Sequence, residues 1–148
     1  MLQPRTLHYV ESRSIMAWKK VWIMATNRGK RPLIAIVDDD ESVRNSLKML
    51  FESAGFEVDV FACAEDFLKE GHPAESACLI LDVKLPGISG IDLQNRLRSS
   101  GCTTNVVFIT AHPDEHTHQQ AIDAGATHFF AKPFSGTELL RAVRASKA

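Results

Sequence analysis

The chain has 148 residues, enough for one domain with a real core, and its 45% hydrophobic and 24% charged residues are those of an ordinary globular protein. The net charge of −1 is unevenly spread: residues 1–31 carry seven Lys/Arg against one acid, leaving 10 bases and 17 acids, or −7, on the rest. An acidic remainder argues against coating nucleic acid, which needs a basic face, and no apolar run approaches the ~20 residues of a membrane span. The N-terminal "VWIMA" is also shorter than the ~7–15-residue core of a secretory signal. Cys63, Cys78 and Cys102 form no CxxC pair, which suits free thiols in a reducing compartment, so the expected location is the cytoplasm.

Residues 1–31 are basic, hold both tryptophans and show no sustained period of 2 or 3.6. Met16 and Met24 are alternative starts, and the expectation is a disordered extension or a start-site artefact. A basic membrane-surface segment is the functional alternative, but its apolar face is short and unpatterned. Regular patterning, and with it the expected domain 32–148, begins at "LIAIV" (33–37), a continuous apolar run of the kind a parallel strand shows when buried on both faces. "ESVRNSLKMLFESAGF" (41–56) has Val43, Leu47, Leu50, Phe51 and Ala54 at helical spacing, with Gly55 as a stop. "EVDVFA" (57–62) alternates like a strand, and "AEDFLKEG" (64–71) reads as a short helix ended by Gly71. "ACLILD" (77–82) is a second buried strand, "LPGISG" (85–90) a turn, and "IDLQNRLRSSG" (91–101) a helix. "NVVFIT" (105–110) is a strand, "DEHTHQQAIDAGA" (114–126) a helix, "HFFAK" (128–132) a strand, and "SGTELLRAVRAS" (135–146) a helix capped by Ser135 or Thr137. Five strands alternating with five helices predict a parallel sheet with helices on both faces.

Ligands of such sheets bind outside the carboxyl ends of the strands. Those ends carry Asp38 and Asp39, Asp82, Thr110 and Lys132. Singly, an acid after a strand is most often a turn former or helix cap, and Asp40 and Glu41 fit helix-start chemistry at the positive end of a helix dipole. Polar groups at four of five strand ends together are not explained that way. Three adjacent carboxylates would raise one another's pKa unless a cation and Lys132 kept them ionised. Few, hard oxygen ligands suit Mg²⁺, which shares its sites with phosphate oxygens. The set reads as phosphoryl transfer, with one carboxylate as nucleophile and Lys132 and Thr110 serving the phosphoryl oxygens.

"IVDDDES", "LILDVKLPGISG", "VVFITAH" and "FFAKPF" resemble, in order, the signature segments of the response-regulator receiver family of two-component signalling. The resemblance spans about residues 32–146 and is closest to bacterial receivers that head two-domain helix-turn-helix regulators. It implies a flavodoxin-like, doubly wound (βα)5 fold with strand order 2-1-3-4-5. It implies Asp82 as phosphoacceptor, and Mg²⁺ held by Asp38, Asp39, Asp82 and the backbone carbonyl of Lys84, with Asp39 the more direct of the acid pair. It implies Thr110 and Phe129 as the switch pair, Lys132 as the phosphoryl-pairing lysine, and a cis Lys132–Pro133 bond. Phe129 stands where the family often carries Tyr, so it can pack but cannot donate a hydroxyl. Lys84 and His112 flank the path of attacking water, and Ala111 is small where bulk would obstruct a donor. The implied partners are a sensor histidine kinase or phosphotransfer protein and a second protomer. No nucleic acid or membrane is expected to bind this domain.

Two rivals share the chemistry. An aspartyl-phosphate phosphatase would use a DxDx(T/V) signature, but after Asp38 and Asp40 come Glu41 and Ser42, and Asp82 is unexplained. A receiver-shaped module that binds partners without phosphorylation would not need the complete acid, hydroxyl and lysine set. His112, His116 and His118 offer one i, i+4 pair and no carboxylate framework for a transition metal. "RAVRASKA" ends the chain directly after the last predicted helix, which leaves a stand-alone receiver or a piece of a larger regulator.

Overall fold

A computed structural model describes residues 31–147, so the expectations for the basic extension, on residues 1–30, lie outside the described residues. The strands are β1 (Leu33–Val37), β2 (Glu57–Phe61), β3 (Cys78–Asp82), β4 (Asn105–Thr110) and β5 (His128–Ala131). The helices are α1 (Glu41–Ser53), α2 (Ala64–Glu70), α3 (Gly90–Ser99), α4 (Glu115–Asp123) and α5 (Gly136–Lys147), with a 3₁₀ turn at Pro73–Glu75. All strand pairs are parallel, in the order β2-β1-β3-β4-β5.

Parallel strands cannot be joined by tight turns, so each crossover helix covers a face of the sheet. That is why β1 is apolar throughout and β3 is apolar up to its closing Asp82. Ala35, Val37, Leu79 and Leu81 face one core, with Phe67 of α2, Leu93 and Leu97 of α3, and Ala121 of α4. Ile34, Ile36 and Ile80 face the other, with Leu47 and Phe51 of α1 and Leu139 and Val143 of α5. α1, α3 and α4 stop two or three residues short of their predicted ends, because capping begins before the glycine. Ala54 caps α1, and Gly55 follows at φ 98°, a conformation that side chains resist. Gly71 ends α2 as expected, though its φ of −81° is open to any residue. It is small because a Cβ there would strike the Phe67 ring and carbonyl.

Candidate functional site

Crossovers that return behind the sheet leave all five strands ending on one edge, and the polar strand ends meet there. β1 ends at Asp38, whose N–H donates to Phe61 O at 3.1 Å, after which the chain leaves the sheet. Asp38 is fully buried, and its Oδ1 accepts the Asp40 N–H at 2.8 Å. Asp40 caps α1 instead of joining the cluster, its carboxylate accepting the Ser42 N–H at 2.9 Å. Asp39 is exposed, and its carboxylate lies with those of Asp38 and Asp82 in a group whose ligand oxygens are within 4.8 Å of one another. Among the described residues this is the one such group, and the three histidines do not form one.

Asp82, 5% exposed, ends β3 between β1 and β4. Its Oδ1 accepts the Lys84 N–H at 3.2 Å, and its Oδ2 accepts a hydrogen bond from Lys132 Nζ at 3.2 Å. Lys132 reaches from beyond β5 to both acids and stands 2.9 Å from Asp38 Oδ2. That second contact is an ion pair at poor hydrogen-bond angles, so the buried Asp38 Oδ2 faces the ammonium's charge but its lone pairs are incompletely satisfied. A buried carboxylate oxygen only partly satisfied, beside two more acids, fits a hard cation. Burial, and next the Asp38 charge, push the Asp82 carboxyl up to about 6 against the pull of Lys132 and the Lys84 N–H. Desolvation alone would lower the Lys132 ammonium, but the two carboxylates outweigh it and hold its pKa above the usual lysine range.

Thr110 is fully buried at the end of β4. Its hydroxyl accepts the His112 N–H at 3.0 Å and its carbonyl accepts the Lys132 N–H at 2.7 Å. The Thr110 hydroxyl proton therefore remains free to be donated. Phe129 is half-buried in β5 and stacks on His118 of α4, with ring centroids 4.8 Å apart and planes at 24°. Lys84, Ala111 and His112 are exposed around the site. The Lys132–Pro133 bond is cis, and Ser135, not Thr137, caps α5 by accepting the Glu138 N–H.

Three contacts went unseen in the sequence. Arg44 of α1 donates to the Asp38 carbonyl at 2.8 Å, Glu65 of α2 accepts the Ile88 N–H at 3.0 Å, and His118 stacks on Phe129. Each partner comes from a different element or lies beyond one helical turn, and nothing in the local pattern distinguishes these side chains from surface ones.

Comparison with known proteins bears on the family and the fold. The family described as response regulator receiver domain matches residues 34–144. Nodulation protein W of Bradyrhizobium diazoefficiens is 40% identical over 121 residues, covering 82% of this chain and 53% of that protein. Response regulator protein TodT of Pseudomonas putida is 42% identical over 114 residues, covering 77% of this chain and 50% of its own. The solved structure of response regulator StyR superposes with a TM-score of 0.73 at 45% identity, covering 78% of this chain and 59% of that one. The chain thus spans about half the length of the curated relatives it matches.

Proposed function

The chain belongs to the response-regulator receiver family of two-component signalling, and on that premise we propose that Asp82 accepts a phosphoryl group from a histidine kinase or phosphotransfer protein. The observation that carries this reading is Asp82 itself: a carboxylate at the sheet's carboxyl edge, within ligand range of two further acids and hydrogen-bonded to Lys132.

Asp38, Asp39, Asp82 and the Lys84 carbonyl would hold Mg²⁺. A bound Mg²⁺ supplies charge neutralisation among the acids and polarises phosphoryl oxygens. An Asp82 carboxylate oxygen attacks phosphorus, the P–N bond to the donor histidine breaks, and the freed imidazole takes up a proton. Lys132 pairs with charge that arrives on the phosphoryl oxygens, and the Thr110 hydroxyl donates to one of them. Water later attacks the acyl phosphate, releasing inorganic phosphate and restoring the carboxylate. Receivers are signalling proteins and not conventional enzymes, and this self-directed chemistry is all the site performs.

Phosphorylation adds roughly −1.5 to −2 charge. Thr110 would move toward it and Phe129 would turn inward, leaving His118 and reshaping α4, β5 and α5 for a partner or a second protomer. On this reading residues 32–148 are the receiver, and it works in the cytoplasm. Among the described residues, no helix is long and apolar enough to cross a membrane. The phosphatase reading loses its second acid, because Asp40 is engaged as the α1 cap. Acetyl phosphate should label the wild-type chain only with Mg²⁺ present, giving a hydroxylamine-sensitive acyl phosphate. Labelling that persists in Asp82→Ala, or that ignores Mg²⁺, defeats the proposal.

A further inference from the structure

The loop joining β3 to α3 carries Lys84; its start and end are tied by backbone bonds, the Lys84 N–H reaches Asp82 Oδ1 and Leu85 is buried in the core, but the turn that follows has no such hold. At the start, Val83 N–H donates to Ile109 O at 2.9 Å. At the end, Gly90 N–H donates back to Val83 O at 2.9 Å, so close to the Asp82 carbonyl that a Cβ on Gly90 would strike it. Between them lies the exposed turn Pro86–Gly87. Glu65, 23 residues upstream in the first turn of α2, reaches this turn, its Oε2 accepting the Ile88 N–H at 3.0 Å. The turn is pressed against that carboxylate: Gly87 takes φ 75°, and a Cβ on it would collide with Glu65 Oε2.

We propose that Glu65 is a positioning residue for the Mg²⁺ site, fixing the Gly87–Ile88 turn so that the loop presents the Lys84 carbonyl to the cation. The inference rests on the proposed reading of Asp38, Asp39 and Asp82 as a Mg²⁺ site. Mg²⁺ tolerates little departure from octahedral geometry, so a loop that supplies one ligand must be held to within about 0.5 Å. Glu65 stands outside the three-acid group and acts through the loop. Its carboxyl is held below the usual range, first by the Ile88 N–H, so it is a charged acceptor at neutral pH. An acid in a first turn also favours the helix dipole. That role needs only charge, whereas reaching Ile88 needs the length of Glu.

The test titrates Mg²⁺ into the full chain, following backbone amide NMR shifts at Asp39 and Lys84, with thermal unfolding in EDTA as the folding control. Glu65→Ala should weaken Mg²⁺ binding about tenfold, at the lower end of what outer-shell partners of metal ligands command, and should speed amide exchange at residues 84–88. Glu65→Asp, which keeps the charge but is one methylene short, should weaken binding equally, and Glu65→Gln, which keeps an oxygen at full reach, should recover most of it. Unfolding temperatures in EDTA should stay together. Wild-type affinity in Glu65→Ala or Glu65→Asp overturns the proposal, as does a Glu65→Gln no better than Glu65→Ala, or affinities that merely follow unfolding temperature. If the wild type binds Mg²⁺ but takes no phosphoryl group from acetyl phosphate, the proposed function fails while this inference stands; if it binds no Mg²⁺, both fall.

Discussion

Asp82 is ion-paired to Lys132 and hydrogen-bonded by Lys84, yet its pKa still lies at about 6, because burial and the Asp38 charge outweigh both partners. An acid whose folded pKa exceeds its unfolded value of 3.8 contributes stability that is fully present below 3.8 and lost as pH rises through about 6. Without metal, the wild type should therefore lose stability across that window, and Asp82→Asn should not. At pH 7 the Asn variant should be the more stable by about 1–3 kcal/mol, the linkage between a carboxyl pKa of 3.8 in the unfolded chain and about 6 in the fold. Urea unfolding at pH 4, 5, 6 and 7 in EDTA checks this, and Mg²⁺ should narrow the pH 7 difference. Equal stability of the two chains at pH 7 would mean that Lys132 already satisfies the cluster.

At the scale of elements, the junction of β1 with α1 divides adjacent aspartates into different roles. The backbone turns between Asp39 and Asp40, so Asp38 is buried beneath the sheet edge while Asp40 closes the first turn of the helix. Asp40→Ala should cost about 1 kcal/mol, the usual loss of an N-cap, and leave acetyl phosphate labelling nearly unchanged, because its contact with Asp38 is through the backbone. Asp39→Ala should do the opposite: it is exposed, so stability should change little, while Mg²⁺ dependence and labelling should collapse. Parallel denaturation and labelling of the two variants separates the roles, and a labelling defect in Asp40→Ala would contradict the division. The helices themselves were legible because 3.6-residue spacing is local. Their ends were less so, since Ala54 and Ala124 cap through backbone hydrogen bonds that leave no side-chain signature.

Over the molecule as a whole, the site and the surface it would control are linked through β4, β5 and α4. Thr110 holds the Lys132 N–H, and Phe129 in the neighbouring strand bears on His118. If phosphorylation draws Thr110 inward and frees space for Phe129, the His118 ring loses a stacked neighbour, and its ring-proton NMR shifts should move on labelling. They should stay fixed in Asp82→Ala and move less in Thr110→Val; unchanged shifts in a fully labelled wild type would refute this switch. The alternation of strands and helices, the two-faced burial of β1 and β3, and the identity of the polar strand ends could be read from the chain, because each follows from the pattern of a short stretch. Even Asp82 stood out as an acid closing an apolar run. Lys132 was expected beside the acids, but the folded chain was needed to show its ammonium reaching both Asp38 and Asp82, Arg44 and Glu65 bonded to the backbone of the site's two loops, and His118 lying on Phe129. Those contacts depend on how helices cross back over a shared sheet, and no local pattern in the chain encodes which side chain will meet which backbone group once they have.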